Sequence, residues 1–115
     1  MSDSELNVLR SSLDLVILKA LLWGPRHGYA VAEWVEHATD DVLLLEEGTL
    51  YPALHRLERK GWVRTEWGVS DNNRRAKFYR LTPAGRAQLT NTSPTWLRHA
   101  EAIARALRAE SPEVA

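Results

Sequence analysis

The chain contains no cysteine. Disulfide scaffolds, Cys-ligated zinc sites and thiol nucleophiles are thereby excluded. It also lacks a long hydrophobic run. The longest, around Leu13 to Trp23, is interrupted by Asp14 and Lys19 and falls short of the roughly 20 residues that a membrane span needs. The first residues, Met-Ser-Asp-Ser-Glu, are acidic where a signal peptide needs positive charge, so a cytoplasmic protein that does not enter membranes is expected. No glycine-rich phosphate loop is present, and His27, His37, His55 and His99 do not stand at metal-ligand spacing with carboxylates. That pattern argues against an enzyme, a metal site and a cofactor. Net charge is missing too: 15 Lys and Arg balance 15 Asp and Glu. Taken whole, such neutrality argues against a nucleic-acid binder, which normally shows a basic excess. What remains is 115 residues, 44% hydrophobic and 26% charged, the make-up of one folded domain.

The neutral total hides an asymmetry. Residues 1–47 carry three basic residues against nine acidic ones, a net of −6; residues 48–98 carry ten against three, a net of +7; the remainder is −1. Segregated charge of this kind points to a polyanion partner, the bland alternative being a solvated basic face.

Leu6, Leu9, Leu13, Ile17 and Leu21 recur at three- and four-residue steps, which predicts a first helix over 6–22 ended by Gly24-Pro25. Alternatively, Ser11 or Ser12 caps a shorter helix. A second helix is expected over 28–38, with Tyr29, Val31, Ala32, Val35 and Ala38 as its apolar residues. Val42 to Leu45 reads as a single strand or a buried connector. Thr49 as cap and Pro52 in the first turn put a third helix over 50–60, closed by Gly61. It buries Leu50, Leu54 and Leu57 and presents Tyr51, Pro52, His55, Arg56 and Arg59 on the other face. Strand patterns over 62–67 and 76–81 flank a polar turn holding Asn73, Arg74 and Arg75, a hairpin with a basic tip. Thr82 caps and Pro83 opens a last helix, expected to kink or break at Pro94. Beyond it Trp96, Ala100, Ile103 and Leu107 form a heptad-like seam, and residues 111–115 a flexible tail.

Three helices, a hairpin and a fourth helix make a mainly α (α+β) chain. Its layout is that of a winged helix-turn-helix over 1–82, to which 83–110 add a C-terminal dimerisation helix. In that geometry the third helix enters the major groove of double-stranded DNA, where Arg pairs with guanine and Tyr51 or His55 reaches bases or phosphates. Arg74, Arg75 and Lys77 on the hairpin neutralise phosphates. A structural alternative for Tyr51 and His55 is a partly buried pair packed on the hairpin.

Four segments carry a resemblance: Gly24-Pro25-Arg26-His27-Gly28-Tyr29; Glu47-Gly48-Thr49-Leu50-Tyr51-Pro52-Ala53-Leu54-His55-Arg56-Leu57-Glu58; Gly61-Trp62-Val63; and the run from Arg75 to Gly85. Over about residues 13 to 89 the chain resembles the PadR family of bacterial transcriptional regulators, in the compact subclass with a single C-terminal helix. The resemblance implies a homodimeric repressor that binds a palindromic operator and is released by a small effector or stress signal. Residue by residue it implies Thr49, Tyr51, Pro52, His55 and Arg56 on the recognition helix and Arg74, Arg75 and Lys77 on the wing. His27 and Gly28 then start the second helix, His27 donating to a phosphate and Gly28 offering its backbone N–H, while Tyr29 packs inward. Glu46 and Glu47 depart from many relatives. Carboxylates there suit the helix dipole but repel phosphate, so they either point away from DNA or are neutralised by Arg26.

Trp96, Ala100, Ile103 and Leu107 are expected to meet a second copy of the chain, completed by Leu6, Leu9 and Leu13 of the first helix. Two recognition helices would then face half-sites about 10 base pairs apart or a multiple of that. Some relatives hold planar aromatic compounds at the dimer centre, and the resemblance gives Trp96 the matching place. The competing reading is a winged-helix module that docks an acidic protein or RNA and has no operator.

Overall fold

A computed structural model of the chain describes the backbone of residues 3–113 and the side chains of residues 11–113. Helix α1 (Asp3–Ala20) is followed by a two-residue strand β1 (Arg26–His27), helices α2 (Gly28–Ala38) and α3 (Glu47–Arg59), strands β2 (Val63–Val69) and β3 (Arg75–Leu81), and helix α4 (Pro83–Leu107). The three strands form an antiparallel sheet in the order β1-β3-β2. This is the winged helix-turn-helix arrangement, with one strand that the sequence pattern does not reveal because two residues are too few to show a period.

The core joins Ile17, Leu18 and Leu21 from the first helical segment, Val31 and Val35 from α2, and Leu50, Leu54 and Leu57 from α3. Val63, Tyr79 and Leu89 seal it from the hairpin and α4. Burial of these apolar side chains is the main stabilising term, about 1.5–3 kcal/mol for each large one.

Helix ends follow from local chemistry. At the end of α2, Asp40 (φ 49°) and Asp41 (φ 63°) take the left-handed conformation. Their N–H groups donate to the carbonyls of His37 and Glu36 at 3.3 and 2.8 Å, a Schellman closure built on aspartates. The Thr39 hydroxyl accepts from Leu43 N–H at 3.1 Å and folds the next segment back. Residues 42–45 are therefore neither a strand nor a buried connector: Val42 is 79% exposed, Leu44 is 61% exposed, and only Leu45 reaches the core. Helix α3 begins at Glu47 behind Glu46, so Thr49 lies inside it and is not its cap. Pro52 accordingly falls beyond the first turn, where it leaves the Gly48 carbonyl without a helical donor. Gly61 (φ 77°) closes α3 as expected, with Trp62 N–H donating to Leu57 at 3.1 Å.

Helix α4 runs for 25 residues through Pro94 without the break, the second of the two outcomes expected there. Its start is fixed by the Thr82 hydroxyl, which accepts from Gly85 N–H at 3.0 Å. Buried Leu89 on one side of the proline and Trp96, bonded to Ser12 of α1 at 3.1 Å, on the other hold the two halves to the body. Packing thus outweighs the missing backbone bond. Helix α4 ends at Leu107, and residues 109–113 adopt no regular structure.

Candidate nucleic-acid interface

On α3 the side chains sort by helical angle. Leu50, Ala53, Leu54 and Leu57 are buried, while Thr49, Tyr51, Pro52, His55 and Arg59 are exposed on the opposite side. Arg56 departs from its expected role. It lies four residues before Lys60 on the flank facing α1, and its guanidinium donates to the Asp14 carboxylate at 2.8 Å, with Lys60 Nζ at 3.6 Å from the second oxygen. The Asp14 side chain is 7% exposed and that of Arg56 22%, so in this structure the guanidinium is turned to α1 and paired within the fold. The signal was available: Asp14 sits in the apolar stripe of α1, and a buried carboxylate needs a cation.

The structural alternative for Tyr51 and His55, a partly buried pair on the hairpin, does not form, since both are exposed. Tyr51 instead covers the start of α2. A Cβ on Gly28 would lie 2.7 Å from the Tyr51 ring, so the missing side chain admits the tyrosine. Gly28 is buried beneath that ring at the wall of a groove. His27 caps α2, its Nδ1 accepting from Ala30 N–H at 3.2 Å. With Nδ1 accepting, Nε2 is the ring nitrogen left to donate to an external acceptor.

Tyr29 does not pack inward. It is 67% exposed, because Gly28, Val31, Ala32 and Val35 form the buried stripe and residue 29 stands one helical step off it. Glu46 and Glu47 are exposed, and among the described residues neither forms an ion pair. Arg26 does not neutralise them, since its Nε donates to the Ala20 carbonyl at 2.9 Å.

The hairpin supplies the other wall. Ser70 N–H donates to Arg74 at 2.8 Å and Asn73 N–H to Ser70 at 2.9 Å, with Asn73 at φ 60°. Asn73 is thus the left-handed residue of a three-residue turn, a conformation that asparagine tolerates. Arg74, Arg75 and Lys77 are exposed. Arg75 lies 4.8 Å from the Trp67 ring centre and Lys77 5.8 Å from that of Tyr79. On the other face of the hairpin Arg80 is already paired with Glu66 at 2.9 Å. Burial, and then the nearby Tyr51 and Glu58, push the Tyr79 phenol above its ordinary pKa of 10.0, so it stays neutral. Between hairpin, α2 and α3 opens a groove of about 740 Å³ that brings together His27, Tyr29, Tyr51, Arg74, Arg75 and Lys77, with Glu33 and Asp71 also on its wall.

The transcriptional regulator PadR-like family matches residues 17–91, which include all of these groove residues and α3. The chain belongs to this family. It is 34% identical over 98 residues to a protein of Lysinibacillus sphaericus, covering 84% of this chain and 89% of that one. It is 46% identical over 65 residues to a transcriptional regulator of Mycobacterium tuberculosis, covering 56% of this chain and 47% of the relative. Among solved structures, a transcriptional regulator from Clostridium thermocellum aligns with a TM-score of 0.73 at 29% identity over 86% of this chain and 96% of the other. A PadR family regulator from Eggerthella lenta aligns with a TM-score of 0.68 at 28% identity over 93% and 92%. The chain is thus a DNA-binding transcriptional regulator of the PadR-like family and not an enzyme.

The remaining sequence-derived positions lie on α1 and α4. Leu13 packs partly buried against the core of its own chain, and the side chains of Leu6 and Leu9 lie outside the described residues. Trp96 is 39% exposed, and its indole N–H is held by Ser12. Ala100 is half-buried, while Ile103 and Leu107 are 59% and 81% exposed. Trp67 and Tyr79 of the hairpin stand beside Arg75 and Lys77 and are not among the sequence-derived positions. The period-two alternation from Val63 puts Trp67 on the same face as the core residues, which was the signal for it.

Proposed function

We propose that this PadR-like regulator is a homodimeric cytoplasmic repressor of neighbouring genes that binds a palindromic operator. The observation that carries the operator reading is the groove lined by exposed Arg74, Arg75 and Lys77, none of them in an ion pair among the described residues, beside the exposed face of α3. Thr49, Tyr51, Pro52, His55 and Arg59 meet the major groove. His27 and the wing cations, with Asn73 shaping the turn, hold the phosphates. Dimerisation is supported by shape. The Cα radius of gyration is 16.3 Å, where a compact chain of this length would have about 13 Å, and the long dimension is 59 Å. The far half of α4 carries Ile103 and Leu107 exposed, an apolar seam suited to a second copy.

Gel shift against the DNA just upstream of the chain's own gene tests both parts. Arg74→Ala with Arg75→Ala is expected to weaken binding at least about tenfold and to make the salt dependence shallower by about two. Ile103→Glu is expected to yield monomers that retain only half-site binding. Equal affinity for any duplex would instead favour the protein- or RNA-docking module.

Release by a planar aromatic effector is supported by a cavity of about 310 Å³ between α1, α2 and α4, walled by Val16, Trp34, Leu89 and Trp96. Its volume suits a small ligand, and two indoles offer flat apolar faces. Titration with planar aromatic compounds is expected to quench tryptophan fluorescence and to release operator DNA. Equal quenching of a Trp96→Ala protein would remove Trp96 from this role.

A further inference from the structure

The β2–β3 hairpin changes environment along its length without changing face. Val63, Thr65, Trp67 and Val69 alternate onto one side of β2, opposite Leu81, Tyr79, Lys77 and Arg75 of β3. At the base this face is core, with Val63 2% and Tyr79 6% exposed. Two pairs further out it has left the body, and Trp67 is 62% exposed. An indole that large in solvent gains little from the core.

What it touches is Arg75. The guanidinium carbon sits 4.8 Å from the Trp67 ring centre, and the two residues are diagonal neighbours across the ladder, since Trp67 pairs with Lys77 and Arg75 with Val69. Among the described residues Arg75 has no carboxylate within ion-pair distance, so the indole face is its one recorded side-chain partner. A guanidinium held over an aromatic ring keeps its N–H groups free to donate to a further acceptor while losing rotamer freedom in advance. We propose that Trp67 is a positioning residue for DNA binding: it holds the Arg75 guanidinium over its ring, aimed into the groove, so that less side-chain entropy is lost when Arg75 meets a phosphate. Trp67 acts through Arg75 and does not itself contact DNA. This assignment rests on the reading that the wing binds DNA.

The test is a double-mutant cycle on the full-length protein, using a duplex selected by the wild type from a random-sequence pool. Arg75→Ala is expected to weaken binding and to make the salt slope shallower by about one. Trp67→Leu, which keeps bulk but removes the ring, is expected to weaken binding about two- to fivefold. Trp67→Phe is expected to restore most of that loss. In an Arg75→Ala background Trp67→Leu is expected to change nothing further, while circular dichroism and melting temperature stay at wild-type values. Full additivity of the two substitutions would overturn the proposal by showing that Trp67 touches DNA independently. A Trp67→Leu protein of unchanged affinity beside a weakened Arg75→Ala protein would overturn it too, leaving the wing reading intact. Unchanged affinity of Arg75→Ala would overturn the wing reading and the proposal together.

Discussion

Gly85→Ala is expected to cost at least about 3 kcal/mol of stability, a large share of the roughly 5–15 kcal/mol that holds a domain of this size folded. The added Cβ would lie 2.0 Å from the Trp62 carbonyl oxygen, 2.9 Å from its carbonyl carbon and 3.1 Å from its Cα. All three are backbone atoms, so no side-chain rotation relieves the overlap. Nor can the first turn of α4 simply lift away. Thr82 N–H donates to that same Trp62 carbonyl at 3.1 Å, and the Thr82 hydroxyl donates to the Gly61 carbonyl at 2.6 Å while capping Gly85. Moving the turn would break this set of bonds and loosen the joint between the DNA-binding body and α4. Gly48→Ala is the control: its Cβ would meet nothing within 4 Å, and alanine favours a helix interior over glycine by about 1 kcal/mol. Denaturant melts of both proteins decide the matter. A Gly85→Ala midpoint equal to that of the parent would remove this contact as the lock between hairpin and α4.

The elements that the sequence reading placed well are those whose signals are local. Helix α2 starts and stops where expected, because Gly24-Pro25 and Thr39-Asp40-Asp41 interrupt the chain on either side. Gly61 and Thr82 mark their helix ends by intrinsic backbone and hydroxyl chemistry, and both stand where they were read. The departures arise where a distant partner decides. Pro94 reads locally as a breaker, yet contacts of Leu89 and Trp96 with the rest of the chain carry α4 across it. Val42 to Leu45 read as a strand or a buried connector, yet the Schellman closure at Asp40 and Asp41 turns the chain so that only Leu45 returns to the core. At the interface the wing cations were legible from charge density alone. Gly28 was not, because its burial comes from one contact with Tyr51, 23 residues further along the chain, and Tyr29 was not, because the buried stripe of α2 passes one residue to its side. Arg56 is the most instructive case. Its place in a basic helix suggests a base contact, Asp14 in the apolar stripe of α1 calls for some cation, and the approach of α1 to α3 makes Arg56 that cation.

Asp14→Ala is expected to cost about 3–5 kcal/mol, the loss typical of removing one partner from a buried ion pair. The two guanidinium nitrogens that matter differ: Nη2 would lose its 2.8 Å bond to Asp14, and Nε is buried with no hydrogen-bond partner among the described residues. Lys60, at 3.6 Å, would be left facing Arg56 with no anion between them. Replacing both members by apolar residues of similar size, as in Asp14→Leu with Arg56→Met, is expected to recover most of the stability, because neither unpaired charge then remains in the interior. That double variant also separates the two roles open to Arg56. With its guanidinium turned to α1, its removal together with Asp14 is expected to leave operator affinity within about twofold of the parent. A guanine contact is worth about 1–3 kcal/mol of discrimination, roughly tenfold or more. A loss of that size in a folded double variant, with relaxed sequence preference, would mean that Arg56 leaves Asp14 on the operator and reads a base.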